Sequence, residues 1–247
     1  MNRFTDYDPF AWVYNEHWGH MFTDRVVPVL DELVLHALAP DARLLDVCCG
    51  TGQLAQILTA RDYRVTGLDG SEDMLRYARQ NAPDAEFMLA DARTFSLPPV
   101  FDGVVSVFDS LNHVLSLTEL TFVFTNVHAA LKEGGVLVFD LNMEEGFRWR
   151  WRNSFSLVED DHVCVMQLLY RPQENVHTSN VTLFRLQDGR WQRSDFSLTQ
   201  KCYSEQQVQS ALQTAGFADI EAYDAQGNLG MGGEIVRSFF VARKSAG

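Results

Sequence analysis

Four aspartates, Asp46, Asp69, Asp91 and Asp109, each fall at or near the end of a short, mostly apolar run, and a glycine pair, Gly50 and Gly52, follows the first of them. Carboxylates at the carboxyl ends of buried parallel strands face the crevice where open α/β sheets bind their ligands. A glycine pair lets backbone pass close to a ligand, and the helix start behind it offers free N–H groups. Such a set can accept hydrogen bonds from sugar hydroxyls and amines and can face a positive charge. It points to a nucleoside-bearing cofactor.

The elements that must hold these groups follow from the pattern around them. Leu44, Leu45 and Val47 form a strand buried on both faces, and Leu54, Ile57 and Leu58 give helical spacing from Gln53 onward. Arg64 to Asp69 is a second strand, and an acid at its end suits a ribose diol. Ser71 caps a helix with Glu72 and Asp73 in its first turn, and Met74, Leu75 and Ala78 point inward. A third strand, Glu86 to Ala90, ends at Asp91, whose carboxylate suits an adenine amine. The run Gly50-Thr51-Gly52-Gln53-Leu54-Ala55 also fits the relaxed dinucleotide pattern, so a nicotinamide cofactor has to be weighed. Charge weighs against it: the aspartates oppose a pyrophosphate and favour a sulfonium that carries an ammonium group.

The segments Leu45 to Gly52, Gly67 to Leu75 and Asp91-Ala92-Arg93 resemble the first three motifs of the class I S-adenosylmethionine-dependent methyltransferases. Phe101 to Phe108 is similar to the family's fourth strand, and Leu131 to Asp140 to its helix end, turn and fifth strand. Cys48 departs from the pattern, where many members carry glycine. The resemblance implies an α/β fold: a Rossmann-like seven-stranded methyltransferase sheet with an inserted antiparallel β-sheet. It implies S-adenosyl-L-methionine as cofactor, held by Asp46, Cys48, Gly50, Gly52, Asp69, Gly70, Met74, Asp91, Ala92, Val107 and Phe108. The aromatic segment from Tyr7 to Trp18 matches a lid that closes over the cofactor, with Tyr14 bonding its carboxylate. Packing of these rings on a sheet edge is the alternative, favoured for Trp12. The layout expected is a lid and cofactor half over 1–142, an inserted sheet over 143–202 and completion of the core over 203–247.

Phe108 to His113 sits just past the fourth strand, at the mouth of the site. Asp109, Asn112 and His113 are its substrate-binding candidates, and His113 is the candidate general base. A loop histidine bonding backbone is the competing reading, because methyl transfer to a neutral amine needs little beyond proximity and in-line geometry. A helix begins at Ser116 or Thr118 and carries Leu120, Val123, Phe124, Val127 and Leu131 inward. Another is expected from about Asp24 to Ala39.

Between about Phe155 and Gln200 strand alternation takes over, in runs 163–170, 176–186 and 191–199, with Asp188-Gly189 as a hairpin turn. This is an antiparallel sheet, expected over the mouth formed by the fourth and fifth strand ends, away from the adenosine, or else at a homodimer contact. A capping box at Ser204 and Gln207 opens the next helix, Gly216 follows its end, and strands at 220–223 and 235–242 finish the chain around a loop rich in glycine (Gly227, Gly230, Gly232, Gly233).

With 247 residues, 46% of them apolar, the chain has material for a full core, and a net charge of −13 argues against nucleic acid as partner. The alternating run Phe147 to Arg152 is its one candidate basic patch, read as a solvated edge. No run approaches the ~20 apolar residues of a membrane span and no signal peptide is evident, so a cytoplasmic protein is expected. Four cysteines show no disulfide or zinc framework, and seven histidines no ligand spacing. Asp140 and Asn142 lack a third ligand, so no metal is expected. The function expected is methyl transfer to a small-molecule amine or hydroxyl. The alternatives are a protein or RNA methyltransferase and a non-catalytic module that binds adenosylmethionine.

Overall fold

The computed structural model describes residues 6–144, 146–147, 154–231 and 236–246. The arginine–tryptophan run at 148–152, Gly232, Gly233 and Ile235 lie outside those residues.

Seven strands build the main sheet: β1 (Arg43–Val47), β2 (Arg64–Asp69), β3 (Glu86–Leu89), β4 (Phe101–Ser106), β5 (Leu131–Asn142), β10 (Ala218–Asp224) and β11 (Arg237–Arg243). Their order is β10-β11-β5-β4-β1-β2-β3. The pairs among β1 to β5 are parallel, while β11 runs antiparallel to both β5 and β10. The order reverses between β1 and β4, which opens a crevice at the carboxyl ends of those strands.

Helices cover both faces. On one, α2 (Gly19–Leu33) and α3 (Gln53–Thr59) bury Val26, Val29, Leu30, Leu54 and Leu58. On the other, α5 (Leu117–Ala130) and α6 (Glu205–Thr214) bury Leu120, Val123, Phe124, Val208 and Leu212. Helix α4 (Glu72–Asn81) starts at the Ser71 cap as expected, and the capping box of Ser204 and Gln207 is formed.

The inserted sheet has four antiparallel strands in chain order: β6 (Ser154–Val158), β7 (His162–Arg171), β8 (Val176–Gln187) and β9 (Arg190–Lys201). Asp188 and Gly189, at φ 50° and 73°, close the β8–β9 hairpin as a two-residue turn, both in the left-handed region. The first strand, β6, lies ahead of the strand runs expected from the sequence; it is five residues long and four of them are exposed.

Three boundaries differ from the sequence reading. Helix α2 starts at Gly19 and stops at Leu33, where Val34 leaves helical geometry at φ −150° and ψ −44°, and Leu35–Ala37 is a short 3-10 turn. Leu131 leaves the helix and opens β5. The aromatic N-terminal segment forms a 3-10 turn and α1 (Ala11–His17), and its Phe10 and Val13 pack against Cys164, Val181, Leu183 and Leu198 of the inserted sheet.

Candidate active site

Two adjoining cavities open at the crevice. One, of about 290 Å³, is lined by Cys48, Gly50, Asp69, Gly70, Met74, Asp91 and Ala92. The other, of about 390 Å³, lies under the inserted sheet and the lid and is lined by Trp18, Phe22, Asp109, Asp140, Gln200 and Arg237 among others. Tyr7, Tyr14, Phe108, His113 and Leu198 line both. The inserted sheet therefore covers the mouth, as expected. It also reaches the first cavity, through Ser197, Leu198 and Thr199, because β9 runs along the junction.

Asp69 sits at the end of β2, and its carboxylate accepts from Gly50 N at 2.9 Å and from Ser71 N at 2.9 Å. Burial raises its carboxyl to about 6 despite those bonds. Asp46 is 2% exposed, and its Oδ2 has no hydrogen-bond partner. Burial, reinforced by the nearby Asp69 charge, pushes its carboxyl up to about 7. Asp46 faces a small recess that Tyr14, Cys48, Gly50 and Val107 also line. Asp91 differs: burial raises its carboxyl, but hydrogen bonds and charge from Arg93 outweigh that and hold it below the usual range.

The lid is tied to the glycine turn from above. Asn15 Oδ1 accepts from Gln53 Nε2 at 3.1 Å and from Asn81 Nδ2 at 2.7 Å, and Ser71 Oγ donates to Asp8 at 2.5 Å. The Tyr14 ring lies against the turn, so that a Cβ at Gly50 would stand 3.7 Å from it. Trp12 instead lies under the Arg185 guanidinium and meets His162 of the inserted sheet edge to face.

In the larger cavity a buried ion network holds the polar end. The Arg237 guanidinium bonds Asp140 through Nη1 and Asp109 through Nη2, the latter at 2.5 Å. Asp109 also accepts from Gln200 Nε2 at 2.5 Å, and its own N–H donates to Asp140 at 2.8 Å. His113 donates from Nδ1 to the Thr199 carbonyl at 2.8 Å, which leaves Nε2 to accept from the Tyr7 hydroxyl at 2.8 Å. Burial lowers the His113 pKa, so the ring is a neutral base at pH 7.

Asp46 and Val107 line only the small recess, and two further expected site residues line none of these spaces. Asn112 is fully buried and stitches backbone together: its Nδ2 donates to the carbonyls of Lys201 and Asn142, and its Oδ1 accepts from Asn142 N. Gly52 faces helix α4, where a Cβ would meet Ala78 Cα at 2.8 Å, so the absence of a side chain serves helix packing. Sequence reasoning missed Arg237 and Gln200 as site residues, and weighed Asp140 only as a metal ligand. A lone arginine opening the apolar run Phe239 to Ala242 was the available signal for Arg237.

Residues 44–135 match the family described as "Methyltransferase domain". The chain is 31% identical to a Geobacillus sp. (strain WCH70) protein over 209 residues, covering 82% of this chain and 84% of that one. It is 25% identical to YqeM of Bacillus subtilis (strain 168) over 97% of both chains. Both carry the name "Putative methyltransferase". Over 108 residues, 43% of this chain and 46% of the other, it is 37% identical to dTDP-3-amino-3,4,6-trideoxy-alpha-D-glucopyranose N,N-dimethyltransferase of Streptomyces venezuelae. The crystal structure of an S-adenosylmethionine-dependent methyltransferase from Clostridium acetobutylicum ATCC 824 shares the fold, with a TM-score of 0.78, 21% identity and coverage of 98% of this chain and 100% of that one. The chain is a class I S-adenosylmethionine-dependent methyltransferase.

The methyltransferase's own residues fit that cofactor. The orphaned Asp46 Oδ2 is a buried acceptor waiting for a donor, and an ammonium group supplies one. Asp69 keeps lone pairs for a diol beside the bonds it already makes. Among the described residues no group of three or more His, Cys, Asp or Glu could hold a metal, and no helix is long and apolar enough to cross a membrane.

Cofactor affinity of the methyltransferase is expected to depend on pH. Asp46 must be ionised to face a cation, and its free-protein carboxyl titrates at about 7. Below that value affinity should fall by up to about tenfold per pH unit, and above it level off. The sign for folding is opposite. A folded carboxyl raised above its unfolded value binds more protons than the unfolded chain, so the ligand-free protein loses stability as pH rises from about 4 to 7. Calorimetry of adenosylmethionine binding from pH 5.5 to 8.5, in buffers of different ionisation enthalpy, should detect proton release at pH 6. A flat affinity with no proton release would discard Asp46 as the cation's partner.

Proposed function

We propose that the methyl acceptor is a small molecule presenting an amine or hydroxyl, and that it occupies the larger cavity. The observation that carries this reading is the shared wall: Tyr7, Tyr14, Phe108 and His113 line both cavities, so an acceptor in one meets the cofactor in the other. A non-catalytic binding module has no need of an open space of about 390 Å³ there. The Streptomyces venezuelae relative, named as acting on an amino sugar, supports a nitrogen acceptor.

S-adenosylmethionine, when bound, supplies a methyl carbon on a sulfonium, open to displacement by an acceptor lone pair. Asp69 holds the ribose diol, Asp91 the adenine amine and Asp46 the ammonium group. Tyr14 and Phe108 close the junction against water and fix the approach of the acceptor. The proton that the acceptor sheds passes to the Tyr7 hydroxyl as Tyr7 gives its own to His113 Nε2, along the bond already formed between them. The test is incubation with adenosylmethionine and a panel of small amines and phenols, reading adenosylhomocysteine. Turnover of at least one is expected. Tight cofactor binding with no turnover across the panel would favour the binding module.

The outward face of the inserted sheet supports a homodimer. Val158, Leu169 and Trp191 are 69%, 50% and 53% exposed on the side away from the lid. Light scattering should give twice the chain mass, and the double variant Val158→Asp, Trp191→Asp the single mass. A monomeric parent protein would remove the proposal.

A further inference from the structure

The larger cavity, taken as the acceptor site, selects among acceptors by its composition, and that selectivity rests on the assignment. Its walls are chiefly rings and aliphatic chains: Phe10, Trp18, Phe22, Phe155, Met166 and others. Its charged groups among the described residues are Asp109, Asp140 and Arg237, so the lining carries one negative charge in excess when both carboxylates are ionised. The one cation there is committed: both guanidinium arms already bond carboxylates, and the side chain is 8% exposed. Among the described residues a phosphate entering this space finds no free cation, and it meets the excess negative charge in a low-dielectric setting. An ammonium finds the opposite. Asp109 has acceptor capacity left beside Arg237 and Gln200, and aromatic faces attract cations.

We propose that the acceptor is an amine carried on an aromatic or apolar skeleton without phosphate, in contrast to the dTDP-linked amino sugar named for the Streptomyces venezuelae relative. The amine addresses Asp109 at the polar end, and its skeleton lies among Phe22, Trp18 and Phe155. Apolar contact supplies the affinity and the carboxylate the orientation.

The experiment uses the full chain saturated with adenosylhomocysteine, whose own binding is measured first by calorimetry. Failure at that step strikes the cofactor reading, and the acceptor proposal is judged only on the loaded protein. The probes are phenethylamine, tryptamine and thymidine diphosphate, followed by calorimetry and by thermal shift at low salt. At least one aromatic amine is expected to bind at least tenfold more tightly than thymidine diphosphate. Phe155 is 45% exposed, so its replacement spares the core. Phe155→Ser should weaken the amine severalfold and leave adenosylhomocysteine affinity within about twofold. Phe155→Arg should weaken the amine too and bring thymidine diphosphate into measurable range. Thymidine diphosphate binding the parent protein as tightly as the amines, or no amine binding at all, overturns the proposal.

Discussion

Replacing Arg237 with methionine is expected to destabilise the protein by about 3–5 kcal/mol, the cost of stranding buried charge by removing one partner of a buried ion pair. Arg237 is 8% exposed on its side chain, Asp140 1% and Asp109 17%. Burial raises the Asp140 carboxyl even with the guanidinium present. Without Arg237 two carboxylates face each other, and one takes a proton. The network also holds strained backbone in place. Phe108 and Asp109 are consecutive non-glycine residues at φ 65° and 52°, a left-handed pair that costs roughly 1–2 kcal/mol per residue. The bonds from Arg237, Gln200 and Asp140 to Asp109 hold it there. Urea denaturation at pH 7 reads the difference. The deficit should shrink as pH falls and the carboxylates protonate, and Arg237→Lys should recover part of it. A methionine variant with the parent's midpoint would show that the network contributes nothing.

Arg237 also marks the limit of what pattern reading reaches. Strands β1, β2 and β4 announce themselves through apolar runs with acids at or near their ends, because parallel strands buried on both faces leave polar residues chiefly there. Ser71, Ser204 and the Asp188-Gly189 turn are legible because capping and tight turns depend on residues adjacent in sequence. Long-range placement does not have that property. Arg237 opens β11, and only the antiparallel pairing of Arg237 with Asn142 and Phe239 with Asp140 brings it to the carboxyl end of β5, where ligands lie. Gln200 reaches the site because β9 folds back over Asp109. Asn112 shows the converse. A polar residue in an apolar stretch reads as a ligand contact, yet its amide is spent on three backbone groups that meet only in the folded chain. Gly52 belongs to the motif for a packing reason, since its neighbour is Ala78 on a different helix.

Asp69→Ala is expected to weaken adenosylmethionine binding about ten- to a hundredfold, from losing charge-assisted hydrogen bonds worth roughly 1.5–3 kcal/mol. Asp69 does two jobs. It accepts from Gly50 N and Ser71 N, which fixes the glycine turn to the start of α4, and it turns its remaining lone pairs to the cavity. A loss of affinity could therefore arise from a loosened turn. Asp69→Asn separates the two: its amide oxygen keeps one backbone acceptor, while the charge and one acceptor are lost. If the diol bonds dominate, both variants lose affinity and adenine alone binds each as it binds the parent. If the turn dominates, adenine binding falls as well, because the turn at Gly50 and Gly70 lines the same cavity as Asp91 and Ala92. Calorimetric titration of each variant with adenosylmethionine and with adenine distinguishes the cases. Thermal shift against NAD completes the test, since a ligand at a hundred times its dissociation constant stabilises by about 2.7 kcal/mol. Adenosylmethionine should raise the melting temperature of the parent and NAD should not. Parent-like affinity in Asp69→Ala would remove this carboxylate from the cofactor site and leave the ribose diol to other groups of the cavity.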